Sequence, residues 1–136
     1  TSAVLEDRSG RVWAGSEWNG GGLDLLDPAS GKFRHFRHDP ADPRSLADDN
    51  IASLHEDAQG RIWVGTAKGL NLVEVGAGGK ISFRSYAAPM RAPKILAIRH
   101  DQQGNLWCST IAGLYRLDPA SGRMAVKSPQ SGQLYS

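Results

Sequence analysis

The sequence predicts an all-β protein built of β-propeller blades: three four-stranded antiparallel blades that make up an incomplete propeller. The first observation is a motif, Asp-x-x-Gly-x-φ-Trp (φ is aliphatic), which recurs at residues 7–13, 57–63 and 101–107. The second is the spacing of Trp13, Trp63 and Trp107, 50 and then 44 residues, which is close to the length of a propeller blade. The third is a Gly-Leu pair within ten residues after each tryptophan, at 22–23, 69–70 and 113–114. A repeat of this kind cannot cover its own apolar faces, so neighbouring repeats must stack on it.

Blade 2, predicted over residues 51–86, shows the scheme most clearly. Short apolar-containing or alternating runs predict strands at 51–55, 61–66, 70–75 and 80–86. Such alternation places Ile62 and Val64 on the same face of a strand. Between the first two strands, Asp57 can accept hydrogen bonds from turn amides, and Gly60 allows the positive φ needed to leave the turn.

The other two blades repeat this scheme. Blade 1, residues 1–37, is predicted to have strands at 3–6, 11–16, 23–27 and 32–37, and blade 3, residues 95–127, at 95–100, 105–110, 114–118 and 123–127. In both, Asp-Pro-Ala-Ser-Gly makes the last turn, where proline presets φ and glycine supplies a left-handed exit. Connectors are predicted at 38–50, with Leu46 as its core anchor, and at 87–94, followed after blade 3 by a frayed tail at 128–136.

Composition excludes several classes of protein. The net charge of +2, spread over 136 residues without a basic block, argues against a nucleic-acid partner. No stretch approaches the roughly 20 apolar residues of a membrane helix, and the single cysteine, Cys108, rules out an internal disulfide framework. Thr1 aligns with Ile51 and Ile95 at the start of the later repeats, so we expect a piece of a longer protein that meets a membrane only through its parent.

Most candidate functional residues have a structural interpretation. The motif tryptophans, Trp13, Trp63 and Trp107, are expected to pack between blades rather than to form a sugar-stacking platform. The aspartates and glycines of the motif turns are also expected to be structural, namely Asp7, Asp57, Asp101, Gly10, Gly60 and Gly104. The run of aromatic and basic residues at 33–38 aligns with an outer strand. The glycines at 20–22 are expected to form a turn, because a phosphate-binding loop would need a helix after it. Cys108 takes the place of a buried valine.

Two further sets of residues are candidate sites. Trp18 lies in an insertion of the first repeat beside Glu17 and Asn19, and these three are the candidate ligand-binding residues, although a loop tryptophan can equally fold back onto its own blade. The histidines and the cysteine belong to different blades and match no recurring zinc spacing, so no metal or cofactor is expected from His35, His38, His55, His100 and Cys108.

The string Leu-His-Glu-Asp-Ala-Gln-Gly-Arg-Ile-Trp-Val-Gly-Thr-Ala-Lys-Gly-Leu-Asn at residues 54–71 resembles the two-component regulator propeller repeat, and so does the connector at 38–46. The resemblance extends over residues 1–127, although Met124 and Lys127 stand where the other blades have an aromatic pair. It implies a non-catalytic sensor region on the periplasmic side of a bacterial membrane protein. The signal would be a small molecule or a glycan, and the output domain, a histidine kinase or a diguanylate cyclase, would lie outside these residues.

Two other functions are compatible with the sequence. The Gly-x-φ-Trp strands and Asp-Pro-x-x-Gly turns also resemble the streptogramin lyases, which implies an enzyme on a propeller scaffold. A pure protein-interaction scaffold is the third alternative. The Gly-Leu pairs and the double Asp-Pro connector favour the sensor family.

Three blades predict self-association. Propellers close with about four to eight blades, so both ends of a three-bladed arc expose blade-facing apolar side chains. Two copies could close a six-bladed ring with two-fold symmetry. The competing expectation is an open arc that the rest of a parent protein covers.

Overall fold

The computed structural model of the chain describes residues 3–16, 21–28, 30–86, 94–110, 113–119 and 121–126. Within these residues, twelve strands form three antiparallel sheets of four strands, each with its strands in sequential order. The described helical structure is one short 3-10 helix, Ala77–Gly79. The predicted fold class and the predicted number of strands in each blade are therefore confirmed.

The strand boundaries lie within two residues of those predicted. Blade 1 contains β1 (Ala3–Glu6), β2 (Val12–Ser16), β3 (Gly22–Asp27) and β4 (Lys32–Phe36). Blade 2 contains β5 (Ile51–Glu56), β6 (Ile62–Thr66), β7 (Gly69–Val75) and β8 (Ile81–Tyr86). Blade 3 contains β9 (Ala97–His100), β10 (Leu106–Thr110), β11 (Gly113–Asp118) and β12 (Arg123–Val126). The closing strand β12 pairs with β11 even though blade 3 lacks the aromatic pair of the other blades.

The largest difference from the predicted strands occurs at the start of blade 3. The sequence predicts that the first strand begins at Ile95, but β9 begins at Ala97. The Ile95 amide instead donates to the Thr66 carbonyl in blade 2, over 3.0 Å. The backbone before β9 is thus used to link two blades.

The first strands of adjacent blades contact each other, β1 with β5 and β5 with β9. The blades therefore fan outward from these strands, which we call the inner strands. Each blade has a leading face, turned toward the next blade, and a trailing face, turned toward the preceding one. The first junction lies between blades 1 and 2, and the second between blades 2 and 3.

Each junction has its own apolar core. At the first junction, the leading face of blade 1, with Trp13 and Leu25, packs on the trailing face of blade 2, with Ile62, Val64 and Phe83. At the second junction, the leading face of blade 2 supplies Trp63 and Leu70, and blade 3 supplies residues that include Ile98, Leu106 and Cys108. Alternation along β6 explains the arrangement, because Ile62 and Val64 serve one core and Trp63 serves the other.

Two glycines allow the blades to approach closely. A Cβ atom on Gly15 would lie 2.2 Å from a side-chain carbon of Ile51, and one on Gly65 would lie 2.7 Å from Ile95. Ile51 and Ile95 are fully buried. Each isoleucine, at the start of a blade, therefore rests on the glycine that follows the motif tryptophan of the preceding blade.

The first connector is anchored in the same core. Leu46 is fully buried, as the sequence predicts. Next to it, the Ala47 amide donates to the side-chain carbonyl of the buried Asn71, over 2.9 Å. The Phe83 amide also donates to the Arg44 carbonyl, over 2.8 Å. The connector is thus an ordered part of the first junction.

The trailing face of blade 1 has no partner in the described residues. Phe33 on β4 is 70% exposed, whereas Phe83, at the equivalent position on β8, is 3% exposed. Val4 on β1 is 69% exposed. Blade 1 thus presents to solvent the same face that blade 2 buries at the first junction.

Candidate functional site

The motif aspartates cap turns and hold the motif tryptophans. Within each motif the tryptophan Nε1 donates to Oδ2 of the aspartate over 2.9 Å, for Trp13 with Asp7, Trp63 with Asp57 and Trp107 with Asp101. The other oxygen, Oδ1, accepts two turn amides in each blade. The motif glycines Gly10, Gly60 and Gly104 have φ of 90°, 81° and 86°, which favours glycine at the turn exit. Sequence reasoning anticipated the turn but not the aspartate–tryptophan bond.

These contacts keep the motif aspartates ionised. The hydrogen bond from Trp107 lowers the pKa of Asp101 to about 2. Burial opposes ionisation of Asp57, but hydrogen bonds from Trp63 and Arg61 outweigh it and lower the pKa of this carboxyl as well. Carboxylates held in this way are suited to structure rather than to proton transfer.

The inner strands carry a pair of histidines. His55 on β5 and His100 on β9 face each other across the second junction, with His55 Nε2 and His100 Nδ1 2.8 Å apart. Their ring centroids are 5.0 Å apart. Burial, together with the charges of His100 and Arg99, lowers the pKa of His55, although Asp57 and Glu56 oppose the shift. Sequence reasoning placed these histidines in separate blades and missed that they meet.

The first junction has an ion pair where the second junction has the histidine pair. Arg8, in the motif turn of blade 1, contacts Glu56 at the end of β5, with Nε and Oε2 3.2 Å apart. The Arg8 guanidinium also donates to the carbonyls of Asp57 and Ala58, over 3.3 Å in each case. Arg8 thus ties the motif turn of blade 1 to that of blade 2.

A second polar cluster lies on β4, the outermost strand of blade 1. His35 Nδ1 contacts the Asp24 carboxylate, and Arg37 lies between His35 and Asp49. The side chains of His35 and Asp24 are each 47% exposed. An Asp–His pair can in principle act as a general base, but this one lies at the rim of the blade in contact with solvent.

The remaining candidates are placed as follows. Glu17, Trp18 and Asn19 lie outside the described residues. Cys108 is fully buried in the second junction, and burial raises the pKa of its thiol to about 11. Trp13 and Trp63 are fully buried, and Trp107 is half-buried on the leading face of blade 3. In the described part of the chain, no three His, Cys, Asp or Glu side chains are grouped so as to hold a metal ion.

The family model of the two-component regulator propeller matches residues 45–68, which run from the end of the first connector through β5 and the motif turn to the end of β6. This segment of the chain is thus similar to a two-component regulator propeller repeat. The matched segment includes His55, the hydrogen-bonded residues Asp57 and Trp63, and Glu56, which forms the ion pair with Arg8. Among curated proteins, no sequence matches the chain significantly.

Solved structures show the same fold. One is the extracellular domain of a protein assigned to the hybrid two-component systems of B. thetaiotaomicron, with a TM-score of 0.75 and 20% identity over 96% of this chain. Another is virginiamycin B lyase from Staphylococcus aureus, with a TM-score of 0.70 and 14% identity over 94% of this chain. The chain spans 18% of the first structure and 41% of the second. None of the described helical structure is long and apolar enough to cross a membrane.

Proposed function

We propose that this propeller-repeat chain is part of the extracytoplasmic, periplasmic sensor region of a bacterial two-component signalling protein, and that it has no catalytic activity of its own. The observation that carries the proposal is the match of residues 45–68 to the two-component regulator propeller repeat. Kinase or cyclase activity would belong to other parts of the parent protein. The module would recognise a small molecule or a glycan.

The polar groups of the described residues support a non-catalytic function. The three motif carboxylates are occupied by turn amides and tryptophan Nε1 groups. Cys108 is buried and its thiol stays protonated near neutral pH. Glu56 is paired with Arg8. These groups hold turns and junctions together, and the recognition residues that we propose, Glu17, Trp18 and Asn19, belong to the insertion of the first repeat.

A thermal-shift screen tests the sensor proposal. The purified chain is screened against mono- and oligosaccharides and small metabolites, because a ligand that binds only the folded state raises the melting temperature. We expect at least one ligand to do so, and Trp18→Ala to remove the ligand-induced shift without changing the melting temperature of the free protein. Phe33→Ala, which removes an exposed aromatic side chain of blade 1, is the control and should keep the shift.

An enzyme on the propeller scaffold is the second candidate. It is supported by the fold shared with virginiamycin B lyase and by the Asp24–His35 pair. The chain is incubated with a streptogramin B antibiotic and with simple lactones, and the products are followed by mass spectrometry. We expect no turnover. Turnover that His35→Ala abolishes would contradict the non-catalytic proposal and establish the enzyme.

We also propose that the two end faces of the arc are assembly surfaces that join two copies of the chain. The exposed trailing face of blade 1, with Val4 and Phe33, repeats the face that blade 2 buries with Leu54 and Phe83. The leading face of blade 3 carries Trp107, the equivalent of the buried Trp63. Within the chain, a leading face packs on a trailing face at each junction, and the two ends of the arc offer one face of each kind. Two copies could therefore pack end to end and close a ring of six blades.

Sedimentation velocity at micromolar concentrations tests this assembly. We expect a concentration-dependent dimer, and we expect Phe33→Asp to give a monomer, because a charge on the trailing face opposes burial. Val75→Asp is the matched control, since Val75 is an apolar residue of blade 2 that is 55% exposed and lies off the end faces. A wild-type chain that stays monomeric and unfolds cooperatively would contradict the assembly.

A further inference from the structure

Different side chains link the blades at the two junctions, and they occupy the same three repeat positions. Repeat alignment makes His55 the equivalent of Leu5, His100 the equivalent of Glu56, and Ala58 the equivalent of Arg8. The first junction therefore has a guanidinium–carboxylate pair beside a leucine. The second has two imidazoles and no arginine.

The loss of the arginine leaves a cleft at the second junction. Ala58, Gln59 and residues 100–104 line an opening between the motif turns of blades 2 and 3. At the first junction, the side chain of Arg8 reaches the corresponding turn, where it bonds the carbonyls of Asp57 and Ala58. The cleft gives solvent access to His100, which is exposed. Protons can therefore exchange with the pair without unfolding of the blades.

The histidine pair accommodates one proton between its two facing nitrogens. At a separation of 2.8 Å, one ring must donate and the other must accept. Protonation of both rings turns the hydrogen bond into a contact between two cations, and Arg99 on β9 adds a third positive charge nearby.

Nearby carboxylates only partly offset this positive charge. The negative charges of Asp57 and Glu56 favour the protonated form of His55. However, Asp57 already binds Arg61 and Trp63, and Glu56 already binds Arg8. At the blade 3 side, Asp101 is engaged by Asn105 and Trp107.

We propose that the His55–His100 pair makes the second junction an acid-sensitive contact, which loosens between the inner strands β5 and β9 in mildly acidic solution while the first junction stays closed. This acid sensitivity does not require that the chain be a sensor.

The direction of the pH dependence follows from proton linkage. The folded state binds a proton on His55 less readily than the unfolded chain does, whose histidine has the ordinary pKa of 6.5. The contribution of the pair is therefore fully present above pH 6.5, and it declines as the pH falls below that value. The first junction has no histidine at the equivalent positions.

Hydrogen exchange monitored by mass spectrometry tests local loosening in the unmodified chain. The samples contain EDTA, and the rates are corrected for intrinsic exchange at each pH. The amides around Ile95, which bonds Thr66 across the second junction, are compared with those around Ile51 at the first. We expect protection around Ile95 to fall between pH 7.5 and 5.5, and protection around Ile51 to stay constant. Constant protection at both segments, or an equal loss at both, would overturn the proposal.

A graft of the first junction onto the second supplies the matched variant. The triple change His55→Leu, Ala58→Arg and His100→Glu copies the residues of the first junction, and it should remove the loss of protection around Ile95. His35→Gln, which changes a histidine of blade 1 away from either junction, is the control. This variant should still lose protection around Ile95 as the pH falls. If the triple variant does not fold, His100→Gln takes its place, because a neutral amide cannot form the dication. Persistence of the acid effect in the folded variant would refute the assignment to this pair.

Discussion

Trp63 in blade 2 and Trp107 in blade 3 make the same hydrogen bond in different surroundings. Each donates its Nε1 hydrogen to Oδ2 of its motif aspartate over 2.9 Å. Trp63 is fully buried because blade 3 covers it, whereas Trp107 is half-buried on a leading face where the Arg116 guanidinium lies 5.9 Å from its ring centroid and no described blade packs. The repeat therefore specifies the hydrogen bond of the tryptophan, whereas the neighbouring blade determines how much stability the tryptophan side chain contributes.

The largest expected effect tests this difference directly. Trp63→Ala should lower the free energy of unfolding by about 3–5 kcal/mol, since it leaves a large cavity in the second junction. Trp107→Ala should cost clearly less, because part of its surface is already in contact with water. Urea denaturation of the two variants measures both values. Equal losses would show that the aspartate–tryptophan bond, rather than burial, dominates.

Phe83 and Phe33, at the same repeat position on the trailing faces of blades 2 and 1, provide a second comparison between a covered and an exposed side chain. Phe83→Ala removes an aromatic ring that packs edge-to-face on Phe36, with the ring centroids 5.5 Å apart, and should destabilise by about 3 kcal/mol. Phe33→Ala, at the same repeat position in blade 1, should change the stability of the monomer by less than about 0.5 kcal/mol. Both are measured at a concentration below that of any self-association. A large effect of Phe33→Ala there would show that the trailing face of blade 1 is covered in the monomer.

A third prediction concerns the spacing of the blades. Gly15→Ala places a methyl group against the buried Ile51 and should cost about 1–3 kcal/mol through overpacking. The control is Gly76→Ala, where φ is −99° and the nearest atom to the new Cβ is the Lys80 oxygen at 3.7 Å. The control should have a melting temperature close to that of the wild type. A tolerated Gly15→Ala would mean that the first junction can widen without loss.

The smallest effect is the acid dependence of the motif turns. The pKa of Asp101 in the folded state is about 2, below its ordinary 3.8. Its stabilising contribution is therefore complete above pH 3.8 and is lost as the pH falls from 3.8 toward 2. Asp101→Asn should flatten the stability profile in that range, as followed by urea denaturation at each pH. An unchanged profile would show that the turn does not depend on the charge of the carboxylate.

Most of the fold could be predicted because its signals are local. The turn from Asp57 to Gly60 and the strand that follows are specified by neighbouring residues, and even the Asp57–Trp63 bond spans only six positions. The strand β9 starts two residues later than predicted because the Ile95 amide bonds a carbonyl of another blade. A period-two pattern carries no information about such a partner.

The polar clusters were less predictable for the same reason. His55 and His100 are 45 positions apart, and nothing in the spacing of histidines indicates that two blades bring them together. The signal that could have found them is the repeat alignment, in which both replace the residues that flank the motif turn at the first junction. Trp18, in contrast, is a candidate because of its place in an insertion, and it lies outside the described residues.

The sequence by itself determined the number of blades, their strand order and the structural turns, because each repeat encodes its own sheet through alternation, turn residues and one short-range hydrogen bond. Only the tertiary structure decided which of the equivalent side chains are buried and which polar groups meet. Burial at Phe83 and exposure at Phe33 follow from the presence or absence of an adjacent blade. A residue's repeat position specifies the direction of its side chain, but the free energy of burial depends on what packs against it.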